Sequence, residues 1–321
     1  MTKLIIQIPC FNEEKTLGIT LSELPREIPG IDSVEWLVID DGSTDKTLEV
    51  AKAYNVDHIV KFPQNCGLAR AFMAGIEACT TEGADIIVNT DADNQYCADD
   101  IFKLIEPILA GEADIVIGAR PIAKIQHFSS TKKLLQKLGS WVVCVVSNAK
   151  VPDATSGFRA MSRNAAVQLN VFNDYTYTLE TIIQAGQKGI AITSVPIRVN
   201  GKTRKSRLVK SLHNYIIIST FTIIRIFVTY RPFRFFVRIG AVLFSLGMVI
   251  NLRFLYLYLL GEGQGKIQSL ILASVLTGLG FHFFVLGLLA DLIDVNRKLL
   301  EKLNLRIQRL EEKFGEFKRN D

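Results

Sequence analysis

Short apolar runs alternate with amphipathic stretches through the first 120 residues. Leu4–Ile8 ends at Pro9, Val34–Ile39 ends at Asp40-Asp41, and Val56–Phe62 forms a third run. Ile86–Val88 leads into Asp91-Ala92-Asp93, and Asp114–Gly118 leads into Ala119-Arg120. Each run has the length and bounding residues of a buried strand. The stretches between them predict helices. The first has Asn12 as N-cap, Glu13 and Glu14 in its opening turn, and an end near Leu24. The others cover Lys46–Tyr54, Leu68–Cys79 and Asp99–Leu109. Strands and helices in this alternation predict βαβ units, a largely parallel sheet and an α/β fold class. Ligand chemistry then belongs at the C-terminal strand edges, where all these polar clusters fall.

The pattern changes after residue 207. Leu208–Arg231 mixes apolar runs with Lys210, His213, Arg225 and Arg231, which predicts amphipathic helices lying in a membrane interface. Ile239–Leu260 and Ile267–Leu289 are each long enough to cross a bilayer, which needs about 20 residues. Arg225, Arg231, Arg234 and Arg238 precede the first span, and Arg297, Lys298 and Lys302 follow the second. The positive-inside bias puts both flanks, and with them both termini, in the cytoplasm, with the turn at 261–266 outside. Arg253 would snorkel toward the outer headgroups. Beyond Asp294, Leu299, Leu303, Ile307, Leu310 and Phe314 recur at helical spacing, an apolar stripe suited to packing against another subunit. The expected organisation is a cytoplasmic domain over 1–207, interface helices over 208–234, two spans within 235–294 and a C-terminal helix over 295–321.

Composition agrees. The 321 residues are 49% hydrophobic with a net charge of +5, and the mean hydropathy is +0.24. Much of the basic surplus lies just before the apolar region, which fits an anionic membrane surface rather than nucleic acid. The cysteines number 5 and form no Cys-x-x-Cys pair, as expected of free thiols in a reducing compartment. Met1-Thr2-Lys3 leads at once into a strand pattern, without the apolar core of a secretory signal.

Candidate chemistry centres on Asp91 and Asp93. In extended chain, residues i and i+2 point the same way, so the two carboxylates can converge. Such a pair at a parallel-sheet edge suits Mg²⁺ or Mn²⁺ and leaves positions open for a diphosphate. An isolated Asp-x-Asp also suits a solvated acidic turn, so the neighbouring motifs decide the matter.

Those motifs are Ile8-Pro9-Cys10-Phe11-Asn12-Glu13-Glu14, Val38-Ile39-Asp40-Asp41-Gly42-Ser43-Thr44-Asp45 and Asp91-Ala92-Asp93-Asn94-Gln95. With Asn65-x-Gly67-Leu68-Ala69, Gly118-Ala119-Arg120 and Asp153-Ala154-Thr155-Ser156-Gly157-Phe158-Arg159, they resemble the second family of glycosyltransferases. The combination is similar to its dolichyl-phosphate mannose synthase branch, which includes the bacterial polyprenyl-phosphate glucosyltransferases. The resemblance covers residues 3 to about 230 and implies a GT-A type nucleotide-binding domain.

It also implies roles. Asp91, Asp93 and Gln95 would hold the metal and donor diphosphate; Pro9, Asn12, Glu13, Asp40 and Asp41 would line the nucleotide. One of the two adjacent aspartates could instead cap the next helix. Arg120 would face the acceptor phosphate, for which Arg is well matched; a surface ion pair is the competing reading. Where the family follows with an Arg and a Ser four apart, this chain has Lys132, Lys133 and Gln136, a partial match. Ser156 and Arg159 would lie in a turn beside the site. Glu180 is either near the sugar or on a solvated helix face. Val199–Arg207, with Arg204 and Arg207, resembles a basic loop over the diphosphate; a basic face against lipid headgroups is the competing explanation.

The expected activity is inverting transfer of a sugar from a UDP- or GDP-linked donor to polyprenyl phosphate at the cytoplasmic leaflet. A processive polysaccharide synthase is disfavoured, because Glu35 precedes Trp36 and Ser140 precedes Trp141, leaving no Gln-x-x-Arg-Trp motif. A nucleotidyltransferase would want a Gly-rich, Lys-containing phosphate loop near the N-terminus, which is absent. A non-catalytic membrane scaffold would have no use for the paired aspartates.

Overall fold

A computed structural model describes residues 1–121, 140–141, 143–145, 147, 151–169, 171, 177–201, 221, 224–225, 228–261 and 267–320. The chain divides into two units, Met1–Thr220 and Phe221–Asp321.

Among the described residues, the first unit is built on one sheet of 7 strands. In chain order these are β1 (Lys3–Cys10), β2 (Ser33–Asp40), β3 (His58–Lys61), β4 (Ile86–Asn89), β5 (Ile115–Ala119), β6 (Arg159–Ser162) and β7 (Ile192–Pro196). They stand in the order β3-β2-β1-β4-β6-β5-β7. Pairing is parallel throughout except around β6, which runs antiparallel to both β4 and β5. Its helices with both ends among the described residues include α1 (Leu17–Glu23), α2 (Thr47–Ala53), α3 (Leu68–Thr81), α4 (Ile101–Leu109), α5 (Arg163–Gln168) and α6 (Thr178–Lys188). Leu4, Ile6, Ile8, Val38, Ile86, Val88, Leu104 and Ile105 are buried together in the core between sheet and helices.

The strand order decides where a site can form. The chain builds outward from β1 through β2 to β3, then returns to place β4 on the other side of β1. The C-terminal ends of β1, β2 and β4 therefore open on one crevice, the switch point at which α/β sheets bind ligands. Register brings Cys10 level with Asp40, and Gln7 level with Asn89.

Two local expectations need correction. Asn12 does not cap a helix: its φ of 56° is left-handed, and α1 begins only at Leu17. Its side chain instead accepts from the Thr44 N–H at 2.8 Å, tying the end of β1 to the turn after β2. The stretch around Arg159 is not wholly a turn, since Arg159 opens β6 and is buried.

In the second unit, α7 (Pro232–Leu259) has 28 residues and α8 (Ile267–Asn320) has 54. At 1.5 Å per residue α7 is about 42 Å long, against a hydrocarbon core of about 30 Å. Both helices include stretches long and apolar enough to span a membrane. The amphipathic C-terminal stretch continues the second apolar helix without a break. The two helices meet through small residues: a Cβ on Gly247 would lie 2.7 Å from the Thr277 nitrogen, and one on Gly280 would lie 2.6 Å from the Phe244 nitrogen. Asn251 adds a hydrogen bond to Thr277 Oγ1 at 3.2 Å. Arg253 is exposed on α7.

Candidate active site

The turn after β2 forms one wall of the crevice. Asp40 Oδ1 accepts from the Ser43 N–H at 3.0 Å, closing the turn on itself. Asp41 Oδ1 accepts from the Cys66 N–H at 2.7 Å, while Oδ2 accepts from the Gly67 N–H and from Asn65 Nδ2, each at 3.0 Å. Neither adjacent aspartate caps the next helix, α2, where the Thr47 N–H donates to Asp45 Oδ1 at 3.0 Å; Asp41 instead secures the entrance of α3. Gly42 permits the approach: its φ is 70°, and a Cβ there would lie 2.4 Å from the Gln64 carbonyl carbon. Glu13 is buried, accepts from Thr16 Oγ1 at 2.7 Å, and its N–H donates to Thr47 Oγ1 at 2.8 Å. Pro9, on β1, is level with Ile39.

The second wall is the turn after β4. Asn94 has a left-handed φ of 53°, and the Gln95 N–H donates to Asp93 Oδ1 at 3.2 Å. Asp91, Asp93 and Gln95 are all half-buried. Burial first, then the neighbouring Asp93 charge, pushes the Asp91 carboxyl up to about 6, while Arg120, Tyr96 and Arg159 oppose the rise. Among the described residues no group of three or more His, Cys, Asp and Glu side chains converges, so protein carboxylates alone would leave a cation incompletely coordinated. The donors on this turn are hard oxygens, and two mutually repelling carboxylates are relieved by a divalent cation; on both counts the residues fit Mg²⁺ or Mn²⁺.

Behind this turn lies the segment leading into β6. The β4–β6 register pairs Asn89 with Arg159. Carried two residues further, it sets Gly157 across from Asp91, and a Cβ on Gly157 would lie 3.0 Å from Asp91 Oδ1. Asn89 Nδ2 donates to the Gly157 carbonyl at 2.8 Å and to the Tyr177 hydroxyl at 2.9 Å. Gln7 Nε2 donates in turn to Asn89 Oδ1 at 3.0 Å.

Arg120 follows β5 directly. Its Nε donates to Asp153 Oδ2 at 2.7 Å, and its Nη2 donates to Asp153 Oδ1 at 3.0 Å and to Thr155 Oγ1 at 2.9 Å. Ser156 is buried, with its Oγ lacking a hydrogen-bond partner. Arg159 departs from expectation. Its side chain is fully buried, with Nη1 donating to the Thr178 carbonyl at 3.2 Å and to Thr181 Oγ1 at 2.6 Å, and Nη2 to the Ser156 carbonyl. In that position it braces the turn from behind and does not meet a ligand from solvent. Glu180 is buried near the start of α6, with Gln184 Nε2 3.5 Å from its Oε1. Lys132, Lys133, Arg204 and Arg207 lie outside the described residues.

Asn89, Tyr96 and Gln7 carry no expectation from the sequence, and Asp153 enters there only as part of a motif, without its ion pair to Arg120. Gln7 and Asn89 did carry a signal, being polar residues inside strands that are otherwise apolar, where a buried amide must find partners.

The chain is 30% identical over 216 residues to the UDP-N-acetylglucosamine–dolichyl-phosphate N-acetylglucosaminyltransferase of Methanococcus voltae, a match covering 60% of this chain and 83% of that protein. It is 28% identical over 200 residues to the undecaprenyl-phosphate mannosyltransferase of Micrococcus luteus, covering 59% of this chain and 80% of that one. Among solved structures, glucosyl-3-phosphoglycerate synthase from Mycobacterium tuberculosis, in complex with Mn²⁺, UDP and glucosyl-3-phosphoglycerate, superposes with a TM-score of 0.56. That match is 20% identical and covers 71% of this chain and 80% of the other, a likeness of fold. The family model for glycosyl transferase family 2 matches residues 5–169, so with its GT-A type fold the chain belongs to the family 2 glycosyltransferases.

Proposed function

We propose that this glycosyltransferase moves a sugar from a UDP- or GDP-linked donor to polyprenyl phosphate at the cytoplasmic leaflet, with inversion at the anomeric carbon. The observation that carries the reading is the Asp91/Asp93 turn at the β1/β4 switch point, in a chain that also has two helices apolar enough to span a bilayer. The polyprenyl-phosphate relatives support the acceptor class.

In this reading Asp91, Asp93 and Gln95 hold Mg²⁺ or Mn²⁺. The ion, when bound, neutralises charge developing on the departing nucleoside diphosphate. Pro9, Asn12, Glu13 and Asp40 face the nucleotide, and Asp41 supports that wall through the 65–67 loop. Arg120 and Ser156 meet the acceptor phosphate, with Lys132, Lys133, Arg204 and Arg207 supplying further positive charge to the two phosphate groups. Arg159 acts through the turn it braces. The enzyme's own task is alignment of the acceptor oxygen with the anomeric carbon, together with charge compensation. Arg231, Arg234 and Arg238 before α7, and Arg297, Lys298 and Lys302 after its partner span, keep both flanks on the cytoplasmic side.

The test is to incubate the purified full-length protein with a panel of UDP- and GDP-sugars, polyprenyl phosphate and Mg²⁺ or Mn²⁺, then analyse the lipid by mass spectrometry. A polyprenyl-phosphate sugar formed only with metal is expected. Donor hydrolysis without lipid product would overturn the acceptor assignment.

A further inference from the structure

The end of α8 carries an exposed apolar seam. α7 and α8 lie side by side as far as the start of α7. A Cβ on Gly287 would lie 3.4 Å from Phe236 Cβ, and the Arg297 guanidinium sits 4.7 Å from the Tyr230 ring, just before Pro232. Residues 298–320 continue past that contact as unbroken helix, about 35 Å at 1.5 Å per residue. Along them Leu300, Leu303, Ile307, Leu310, Phe314 and Phe317 recur at alternating intervals of three and four, the a and d positions of heptads. Leu300, Leu303, Ile307 and Leu310 are 64%, 53%, 52% and 55% exposed. An amphipathic helix gains most of its stability by burying such a face.

The occupant these observations favour is a second copy of the same helix. α8 leaves its apolar, membrane-length stretch without a break or a proline, so nothing in its backbone turns it to lie along a bilayer surface. Two copies inserted with the same orientation can be related by a twofold axis only along the membrane normal, which makes their protruding helices parallel. In a parallel pair each g position faces the e position of the following heptad on the other copy, and here those positions hold Arg306 and Glu311, opposite in charge. The next such positions, Lys313 and Lys318, are alike in charge, which confines the attraction to the earlier heptads. Ile307 at an a position, with Leu303 and Leu310 at d, is a combination that favours two strands. We propose that residues 300–317 of α8 form a parallel two-stranded coiled coil with a second copy of this chain. The proposal rests on reading α7 and α8 as membrane spans.

Disulfide crosslinking of the full-length protein in its membrane reads the seam, with the unsubstituted protein as background for its own cysteines. Leu303→Cys and Leu310→Cys are both expected to crosslink most of the protein as dimer. Glu312→Cys, on the opposite face of the helix, should stay at background. Equal crosslinking at all three positions, or none at 303 and 310, would overturn the proposal; crosslinking at only one of 303 and 310 would exclude a parallel register. Adducts of another mass would give the face to a different protein. A second arm leaves the seam residues intact: Arg306→Glu should lower the dimer fraction on native electrophoresis, and adding Glu311→Arg should restore it. No change in either variant would overturn the pairing. Release of the protein from membranes by alkaline carbonate would sink the spanning reading instead, while the cysteine pattern would still decide the seam.

Discussion

Arg120 and Asp153 form a two-pronged ion pair, Nε to Oδ2 at 2.7 Å and Nη2 to Oδ1 at 3.0 Å. The side chains are only 9% and 1% exposed. A guanidinium fork matched to a carboxylate in this way is rigid, and it aims the remaining face of Arg120 in one direction. Removing one partner of a buried pair leaves the other charge unmet. Arg120→Ala is therefore expected to destabilise the first unit by about 3–5 kcal/mol. The double change Arg120→Ala with Asp153→Ala should cost less than the sum of the single ones. Denaturant unfolding of the four proteins checks this, and strict additivity would show that the pair is not a unit.

Asp93→Asn should separate function from stability by sign. Asp93 is a like charge beside Asp91 and helps to hold its carboxyl at about 6. Removing that charge relieves repulsion, so the metal-free variant should be no less stable than wild type. Under the proposed metal-dependent mechanism, transfer should fall at least about 100-fold. The pH dependence follows from linkage. A folded-state value of about 6 exceeds the unfolded value of about 3.9, so the folded protein binds this proton more tightly. The contribution of Asp91 to metal-free stability is fully present below about 4 and is lost as pH rises through about 6. The loss should shrink in Asp93→Asn. Chemical unfolding between pH 4 and 7 with chelator present, alongside the transfer assay, measures both effects, and full activity in the variant would remove the metal from the mechanism.

Much of this arrangement was legible because its signals are local. An apolar run ending in acidic residues marks a strand edge wherever it occurs, and Asp40-Asp41 and Asp91-Ala92-Asp93 are such endings. What escaped depends on contacts between distant segments. β6 is 4 residues long and pairs antiparallel, so neither its length nor its neighbours announced it. Arg159 read as a ligand residue because charged side chains seldom lie fully buried, and here carbonyls of Ser156 and Thr178 make burial tolerable. That Asp41 serves α3 rather than the next helix depends on the 65–67 loop, some 25 residues away. Nor does sequence spacing indicate that the Tyr96 hydroxyl meets a backbone group 61 positions on.

The two long helices offer an internal control. Gly280 is packed against the α7 backbone, where a Cβ would sit 2.6 Å from the Phe244 nitrogen and 2.8 Å from its Cα. Gly278, two residues earlier on α8, would meet nothing within 4 Å. Helix propensity changes alike at both sites, so the difference between them isolates packing. Gly280→Val should destabilise the helix pair by about 1–3 kcal/mol, whereas Gly278→Val should be tolerated. Thermal melts in detergent compare the two, and equal melting temperatures would contradict the close approach of the helices.

In the proposed reaction the acceptor is a phosphate monoester, and its protonation sets the pH dependence. A sugar transferred to an alcohol needs a general base, because a hydroxyl is a poor nucleophile near neutrality. A phosphate monoester has its second pKa at about 6 and is largely a dianion at pH 7, so no side chain need remove a proton. The two described histidines fit this. His58 is bonded to Glu35 at 2.6 Å and lies on β3, at the outer edge of the sheet; His282 lies on α8. His127 and His213 fall outside the described residues. Transfer should therefore decline below about pH 6 as the acceptor protonates, and Arg120→Ala should be more damaging than any His→Ala. Attack from the face opposite the leaving diphosphate converts an α-linked donor into a β-linked product. Rate against pH, and the anomeric configuration of the lipid-linked sugar by nuclear magnetic resonance, are the measurements. A retained configuration, or a histidine whose loss alone stops turnover in a folded protein, would replace this mechanism with one that uses an enzyme base.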